Sequence, residues 1–407
     1  MPAPTCRSAR PPVCGAPRIP GRRRLAVVAA VAILAPATPG AAGPLTYADA
    51  LERAALDAPD VRARGLALEG ARAAAPAAGR LPDPELSLAV ENLPVSGPMA
   101  GSFGRDEMTM LRVGVMQAVP SPARRRAERS VAAADIGVAD IQLEVAAREA
   151  RVAAAVAWTE LHFAQRRREA LDEVLSSLEP LWEAAPSSVA SGGDRPAGAL
   201  SPIRLRAALQ DQRSALVAAE AGARAELARW TGEPDPWSEG LPPEAMLDEA
   251  GLRNGLERLP ALRAWAAAAR RADAETDLAR AGRQPDWSFE LAYGRRDPMY
   301  GDMLSVGARV RLPLFADQRQ NPVIAARSAE ARRVRVEHEG AARSLRAALE
   351  ADLADHRMHH EQWRRARDVL LPAARDRAGL ETASYGAGRA GLGEVIEAFT
   401  ALAETRL

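Results

Sequence analysis

Asp286-Trp287-Ser288-Phe289-Glu290-Leu291-Ala292-Tyr293-Gly294 sets Trp287, Phe289, Leu291 and Tyr293 against polar or small residues at alternate positions. A period of two predicts a strand with one apolar and one polar face. A second such stretch follows, in which Leu304, Val306, Val310 and Leu312 face away from Ser305, Gly307, Arg309 and Arg311. A long Ala/Arg/Glu/Leu-rich segment comes next, and the same order occurs about 200 residues earlier, a period that marks an internal repeat. In that first copy Leu86, Leu88 and Val90 oppose Glu85, Ser87 and Glu91, and Leu111, Val113, Val115 and Val119 form the apolar face of the next strand. Gly114 stands as far before Pro120 as Gly307 stands before Pro313. The chain is therefore expected to repeat a strand–strand–long-helix unit, its two copies spanning 43–240 and 241–407.

Four strands, expected at about 84–92, 108–119, 286–294 and 303–312, match the length of a transmembrane β-barrel wall. The alternative is a soluble sandwich, which needs more strands than this chain offers and leaves the helices without a role. Four strands cannot close a barrel, because about eight are needed. Open sheet edges are not tolerated in lipid, so the reading requires an obligate oligomer. The loops Asn92 to Asp106 and Arg295 to Asp302 would lie on the outer surface, with Trp287 and Tyr293 at the membrane boundary.

Ser121-Pro122, Ser201-Pro202 and Asn321-Pro322 each place a capping residue before a proline at a first helical position. The expected helices are about 122–184, 202–231 and 322–385. Val131, Val138, Val145 and Val152 recur at coiled-coil spacing along the first. Sixty helical residues reach about 90 Å, far more than a globular domain needs. Arg124, Arg125 and Arg126 stand where the helix dipole disfavours cations. Two readings stay open: a solvated charge run, or contacts with lipid headgroup phosphates at the membrane boundary. The Gly- and Ser-rich connections 185–200 and 386–393 would form distal tips. Asp194, Arg195, Tyr385, Gly388, Arg389 and Glu394 are the candidate docking or gating residues there.

The formal net charge of +1 gives no electrostatic case for a nucleic-acid partner. All 54 basic residues are arginine. Arg22-Arg23-Arg24 precede an apolar run from Leu25 to Ala35 and then small residues to Ala42, the layout of a signal peptide over 1–42. Cys6 and Cys14 both precede the apolar run, so the exported chain is expected to contain no disulfide, thiol metal site or lipidated cysteine.

Leu45-Thr46-Tyr47-Ala48-Asp49-Ala50-Leu51 with Ala58-Pro59-Asp60-Val61, the two strand pairs, and Tyr385-Gly386-Ala387-Gly388 before Val395 and Leu402 resemble the TolC family of outer-membrane efflux proteins. Glu91-Asn92-Leu93-Pro94 and Val115-Met116-Gln117 beside Arg124-Arg125-Arg126 are similar to its heavy-metal branch, which serves resistance–nodulation–division pumps. The resemblance implies a mainly α fold with a small membrane β-barrel. It implies a homotrimer whose twelve strands form that barrel and whose antiparallel coiled-coil helices form a periplasmic tunnel. It also implies a periplasmic adaptor (membrane fusion protein) and an inner-membrane pump as partners. The implied role is a passive outer-membrane duct for heavy-metal cations, with drug or protein export as the alternative. Many relatives of that branch carry a lipidated cysteine, which this chain lacks. Its last helix is expected to be shortened, since Leu407 follows soon after Leu392.

No nucleophile–base pair, phosphate-binding glycine loop or paired-carboxylate motif stands out, so neither an enzyme nor a cofactor is expected. His356, His359 and His360 fall within one turn, with Asp352 a turn earlier. That spacing can hold a divalent metal, and it also describes an exposed polar stripe. Two readings of another class remain: a coiled-coil scaffold without a pore, and a periplasmic metal-binding protein.

Overall fold

Both strand pairs form, and each hands over to a helix many turns long. The computed structural model describes residues 43–190, 200–243 and 247–406. The expected signal segment 1–42 and the tip residues Asp194 and Arg195 lie outside the described residues. Those described belong to one compact unit, Ala41–Leu407. Its elements run β1 (Pro44–Thr46), α1 (Tyr47–Asp57), α2 (Pro59–Ala74), β2 (Glu85–Glu91), β3 (Met110–Val119), α3 (Pro122–Ala190) and α4 (Leu200–Thr231). Then come β4 (Trp237–Glu239), α5 (Glu249–Gly255), α6 (Pro260–Ala281), β5 (Asp286–Arg295), β6 (Met303–Arg311), α7 (Gln320–Arg365), α8 (Leu371–Gly386) and α9 (Leu392–Arg406).

Local chemistry sets the helix starts. Thr46 Oγ1 accepts from the Asp49 amide at 3.2 Å to cap α1, and Asp248 caps α5 through the Gly251 amide at 2.9 Å. Ser121 Oγ accepts from the Arg124 amide at 3.3 Å at the head of α3. With 69 residues, α3 is about 100 Å long. The helix expected over 322–385 is interrupted by one π turn, Ala366–Leu370. Pro372, two residues beyond, has no amide to donate, so the hydrogen-bond ladder slackens just ahead of it.

α3 is the spine. Its first half carries α2 and its far half pairs with α4, while α6 lies along another side and joins α3 to α7. At the far end α8 and α9 form a hairpin whose α9 rests against both α3 and α4. Ala403, packed among Leu171, Val174, Leu178 and Leu209, holds that placement, and an exposed Arg406–Glu173 pair at 3.1 Å lies beside it.

Where β1, α1, α3 and α4 converge, Leu45, Ala50, Ala157, Trp158, Leu161 and Leu227 make one core cluster. The Trp158 Nε1–H donates to the Leu45 carbonyl at 2.7 Å. β1 and β4 pair in parallel there, Leu45 opposite Ser238. The valine row corrects one expectation. Val152 is 49% exposed, and the buried stripe of α3 runs through Ile141, Ala150, Ala154, Ala157 and Leu161. The reason is helix spacing: Ala146, Ala150 and Ala154 meet Ala54, Ala58 and Val61, and small side chains let α1 and α2 come close.

Candidate functional site

The four longer strands make one antiparallel sheet in the order β2-β3-β5-β6. Its register aligns the apolar positions across all four strands. Leu86 faces Val115, which faces Leu291, which faces Val306. A neighbouring row joins Leu88, Val113, Tyr293 and Leu304, and Val119, Trp287 and Val310 form another. No described residue covers this face: Leu88 is 70% and Val306 80% exposed, and Trp287, Phe289, Leu291 and Tyr293 are all about half exposed or more. A sandwich would have laid a second layer here. Among the described residues none does, and no described helix is long and apolar enough to cross a membrane.

The opposite face is charged and internally paired. Arg112 donates to Glu91 at 2.7 Å and to Glu290 at 2.6 Å, and Arg309 donates to the other oxygen of Glu290 at 3.0 Å. All four strands are thereby tied side to side by charge-assisted bonds. Gly114 makes room for this face, since a Cβ there would come within 2.7 Å of Ser87 Oγ. The sequence reading passed over the network because its members are spread from Glu91 to Arg309. Only the strand register aligns them.

The two ends of the sheet differ. At the helix end Trp287 and Phe289 stack with ring centres 6.2 Å apart. At the loop end the Tyr293 hydroxyl donates to Asp302. The loops are tied together there, as Arg296 Nη1 donates to the Glu107 carbonyl at 3.1 Å. Trp287 and Tyr293 thus mark opposite margins of the apolar face.

The structure separates the three consecutive arginines. Arg124 is spent within the fold, 3.3 Å from Asp286 and 3.1 Å from Glu128. Arg125 is half-buried with an unpaired Nε, and its backbone carbonyl occupies the space that a Cβ at Gly79 would need. Arg126 is exposed. Arg129, not Arg124, joins Arg125 and Arg80 along that turn.

In the turn between α8 and α9, Tyr385 contributes its backbone carbonyl and Gly388 its conformation. The Arg389 amide donates to Ser384 and the Gly388 amide to Tyr385, with Gly388 at φ +68°, a Schellman helix end that only glycine adopts without strain. Glu394 accepts from the Gly391 amide at 3.0 Å and caps α9. Arg389 is left exposed at the turn.

The three-histidine metal site is not assembled. His356 and His360 stack with ring centres 6.1 Å apart, and His360 leans on Trp363. His359 points elsewhere, its Nδ1 3.2 Å from Gln362 Oε1. Three and four residues along a helix fall on opposite sides of a given side chain, so His359 and His360 diverge about His356. Among the described residues no group of three His, Cys, Asp or Glu side chains is arranged around a metal position.

Beside the histidines, α5 is clamped onto α7. Arg357 and Arg253 both reach Glu249, and Arg253 reaches Glu350 at 2.7 Å. The Arg357 hydrogen bond holds Glu249 below the usual carboxylate range.

No protein-family model matches this chain, and no curated protein matches it. Solved structures do. The CmeC outer membrane channel of Campylobacter jejuni superposes with a TM-score of 0.73 at 12% identity, over 88% of this chain and 80% of that one. The outer membrane protein VceC of Vibrio cholerae gives 0.71 at 16% identity, over 88% and 90%. A structure of CusC, concerned with its folding and transmembrane channel formation, gives 0.64 at 16% identity, over 88% and 86%. At these identities the likeness is one of fold. The chain has the mainly helical, long-helix and four-strand fold of outer-membrane channels.

Proposed function

We propose that this protein is the outer-membrane duct of a tripartite export system. Three copies join their four-stranded sheets into a twelve-stranded barrel, and their long helices form a periplasmic tunnel. The observation that carries the reading is the uncovered apolar sheet face, backed by a charged face and bounded by two free edges. In water such a sheet would aggregate. In lipid it requires closure, because an unpaired strand edge leaves backbone groups without partners. A scaffold without a pore gives this face no purpose.

The helical tips, where Arg389 stands exposed, are the place for a periplasmic adaptor linked to a proton-driven inner-membrane pump. The cargo we propose is heavy-metal cations, on the resemblance of the Glu91–Pro94 and Val115–Gln117 segments to the metal-exporting branch. The duct itself is passive and needs no ligand site along its wall.

Two measurements test this. Purified protein in a planar bilayer is expected to give discrete conductance steps and a mass of three copies; monomers without conductance would refute the duct. Deletion of the gene is expected to sensitise the host to copper, cobalt, zinc or cadmium. Sensitivity to drugs alone would overturn the cargo and leave the duct standing.

A further inference from the structure

The two hairpins share one residue register, and the same register can be carried over to a contact between separate copies. Gly79-Arg80-Leu81-Pro82-Asp83 before β2 matches Gly282-Arg283-Gln284-Pro285-Asp286, which leads into β5, while Gly114 of β3 matches Gly307 of β6. Carrying the β2–β3 register across by these matches sets Ser288 opposite Arg309, as the β5–β6 pair is observed to do. The repeat therefore holds to the residue. Among the described residues, the edges of this sheet left free are those of β2 and β6.

From this the geometry points to one contact: β6 of one copy pairs antiparallel with β2 of the next, with Arg311 opposite Glu85. The register is that of β3 on β5, shifted by one repeat. It rests on the barrel reading of the sheet and adds the residues that join the copies. Four features of the single chain agree with it.

First, the faces match. Val310 meets Leu86, Ala308 meets Leu88 and Val306 meets Val90 on the apolar side, so the uncovered face continues without a break. Second, the charges match. Glu85 and Arg311 are both exposed, and neither forms an ion pair among the described residues, although Arg311 lies opposite Asp286. Opposite charges directly across a strand pair favour it. Third, Arg309, already on Glu290, lies diagonal to the incoming Glu85 and reinforces the same sign.

Fourth, the barrel closes with ordinary geometry. Following paired residues from Glu85 to Met116, Glu290 and Gly307 leads, across the new contact, to Ala89 of the next copy. Each copy thus advances the register by four residues, and three copies advance it by about twelve around twelve strands. With about 3.4 Å per residue and about 4.8 Å between strands, the strands tilt by about 35°. Slipping the contact by two residues gives a tilt of about 20° one way, far below the usual range of about 35–45°, and about 47° the other, at the upper margin; between that and about 35°, the charge pairing and the repeat decide.

Cysteine pairs test the contact, in a background where Cys6 and Cys14 are replaced by serine. Within one copy, positions 88 and 308 lie on opposite edges of the sheet, too far apart for a disulfide, so any bond must join copies. Leu88→Cys with Ala308→Cys is expected to oxidise to a covalent three-copy ring, faster than Leu88→Cys with either Val306→Cys or Val310→Cys. Glu85→Arg and Arg311→Glu should each slow that cross-link by up to about fivefold, and their combination should restore it. Faster bonding of a slipped pair overturns the register. Absence of any bond in a protein that still conducts overturns the edge contact alone. Absence of both bond and conductance overturns the barrel as well.

Discussion

Adjacent residues of β6 should respond in opposite ways to the same substitution. Val306 lies near the middle of the strand, faces Leu291 and is 80% exposed, with no protein over it. Ser305 is next to it on the charged face, opposite Ala292. If the apolar face meets lipid, Val306→Arg places a guanidinium near the bilayer midplane. That costs about 2–4 kcal/mol per copy, and about 6–12 kcal/mol in a barrel of three. Ser305→Arg points into the water-filled interior and should cost almost nothing. The assay is equilibrium urea unfolding of protein folded into liposomes, alongside the yield of heat-modifiable oligomer on unheated gels. Val306→Arg is expected to abolish the folded oligomer or sharply lower its unfolding midpoint, with Ser305→Arg close to the parent. Equal tolerance of both would refute a lipid-facing apolar side. Tolerance of Val306→Arg with loss on Ser305→Arg would invert the barrel.

Three further outcomes follow from named contacts. Glu290→Gln leaves Arg112 and Arg309 without their shared carboxylate and adds one positive charge per copy to the charged face; reversal potentials in a salt gradient should move towards anions. Glu220, almost fully buried, accepts from Arg168 and Arg224 at 2.7 Å each, so Glu220→Ala should destabilise the α3–α4 pair by about 3–5 kcal/mol, read by urea unfolding of the detergent-solubilised protein. His162 is buried and stacked on Trp158, and burial, with Arg166 adding to it, pushes its imidazole below the ordinary range. The unfolded chain therefore takes up the proton first, so stability should fall as pH drops below about 6.5, and His162→Phe should flatten that fall in thermal melts.

How much of this was legible in the sequence depended on the range of the interaction. Alternation along Asp286 to Gly294 and Pro84 to Glu91 showed the strands and their faces, because a strand's apolar period is local. The long helices were equally plain from their caps and composition. The short elements β1, β4, α1 and α5 were not, since three-residue strands and alanine-rich turns have no period of their own. Trp158 and Leu45 define that region only through a bond between residues over a hundred positions apart. The site shows the same limit. Arg124 reads as a free cation until Asp286 arrives from the other repeat. Glu394 reads as a tip charge until the Gly391 amide claims it. His356, His359 and His360 read as one cluster until the third and fourth positions along the helix are seen to fall on opposite sides of His356, where His359 meets Gln362 three residues on.

The two repeats share one hairpin register yet start their helices differently, and the difference follows from which contacts a single chain can count on. At the head of α3 the Ser121 amide donates to Asp286 at 2.9 Å, a partner supplied by the other repeat of the same chain. The corresponding partner for α7 would be Asp83 of another copy, which is absent until copies assemble. Seven extra residues, Leu314–Gln320, stand at that second junction. The carbonyls of Phe315 and Ala316 there accept the amides of Arg319, Gln320 and Asn321, so α7 begins on a turn of its own. A helix head that must be satisfied before assembly is capped from within. Hydrogen exchange on the protein in detergent separates the two cases: Asp286→Ala should raise exchange in the first turn of α3, while Asp83→Ala should leave the first turn of α7 unchanged. Equal loosening of both would mean that α7 depends on its neighbour after all.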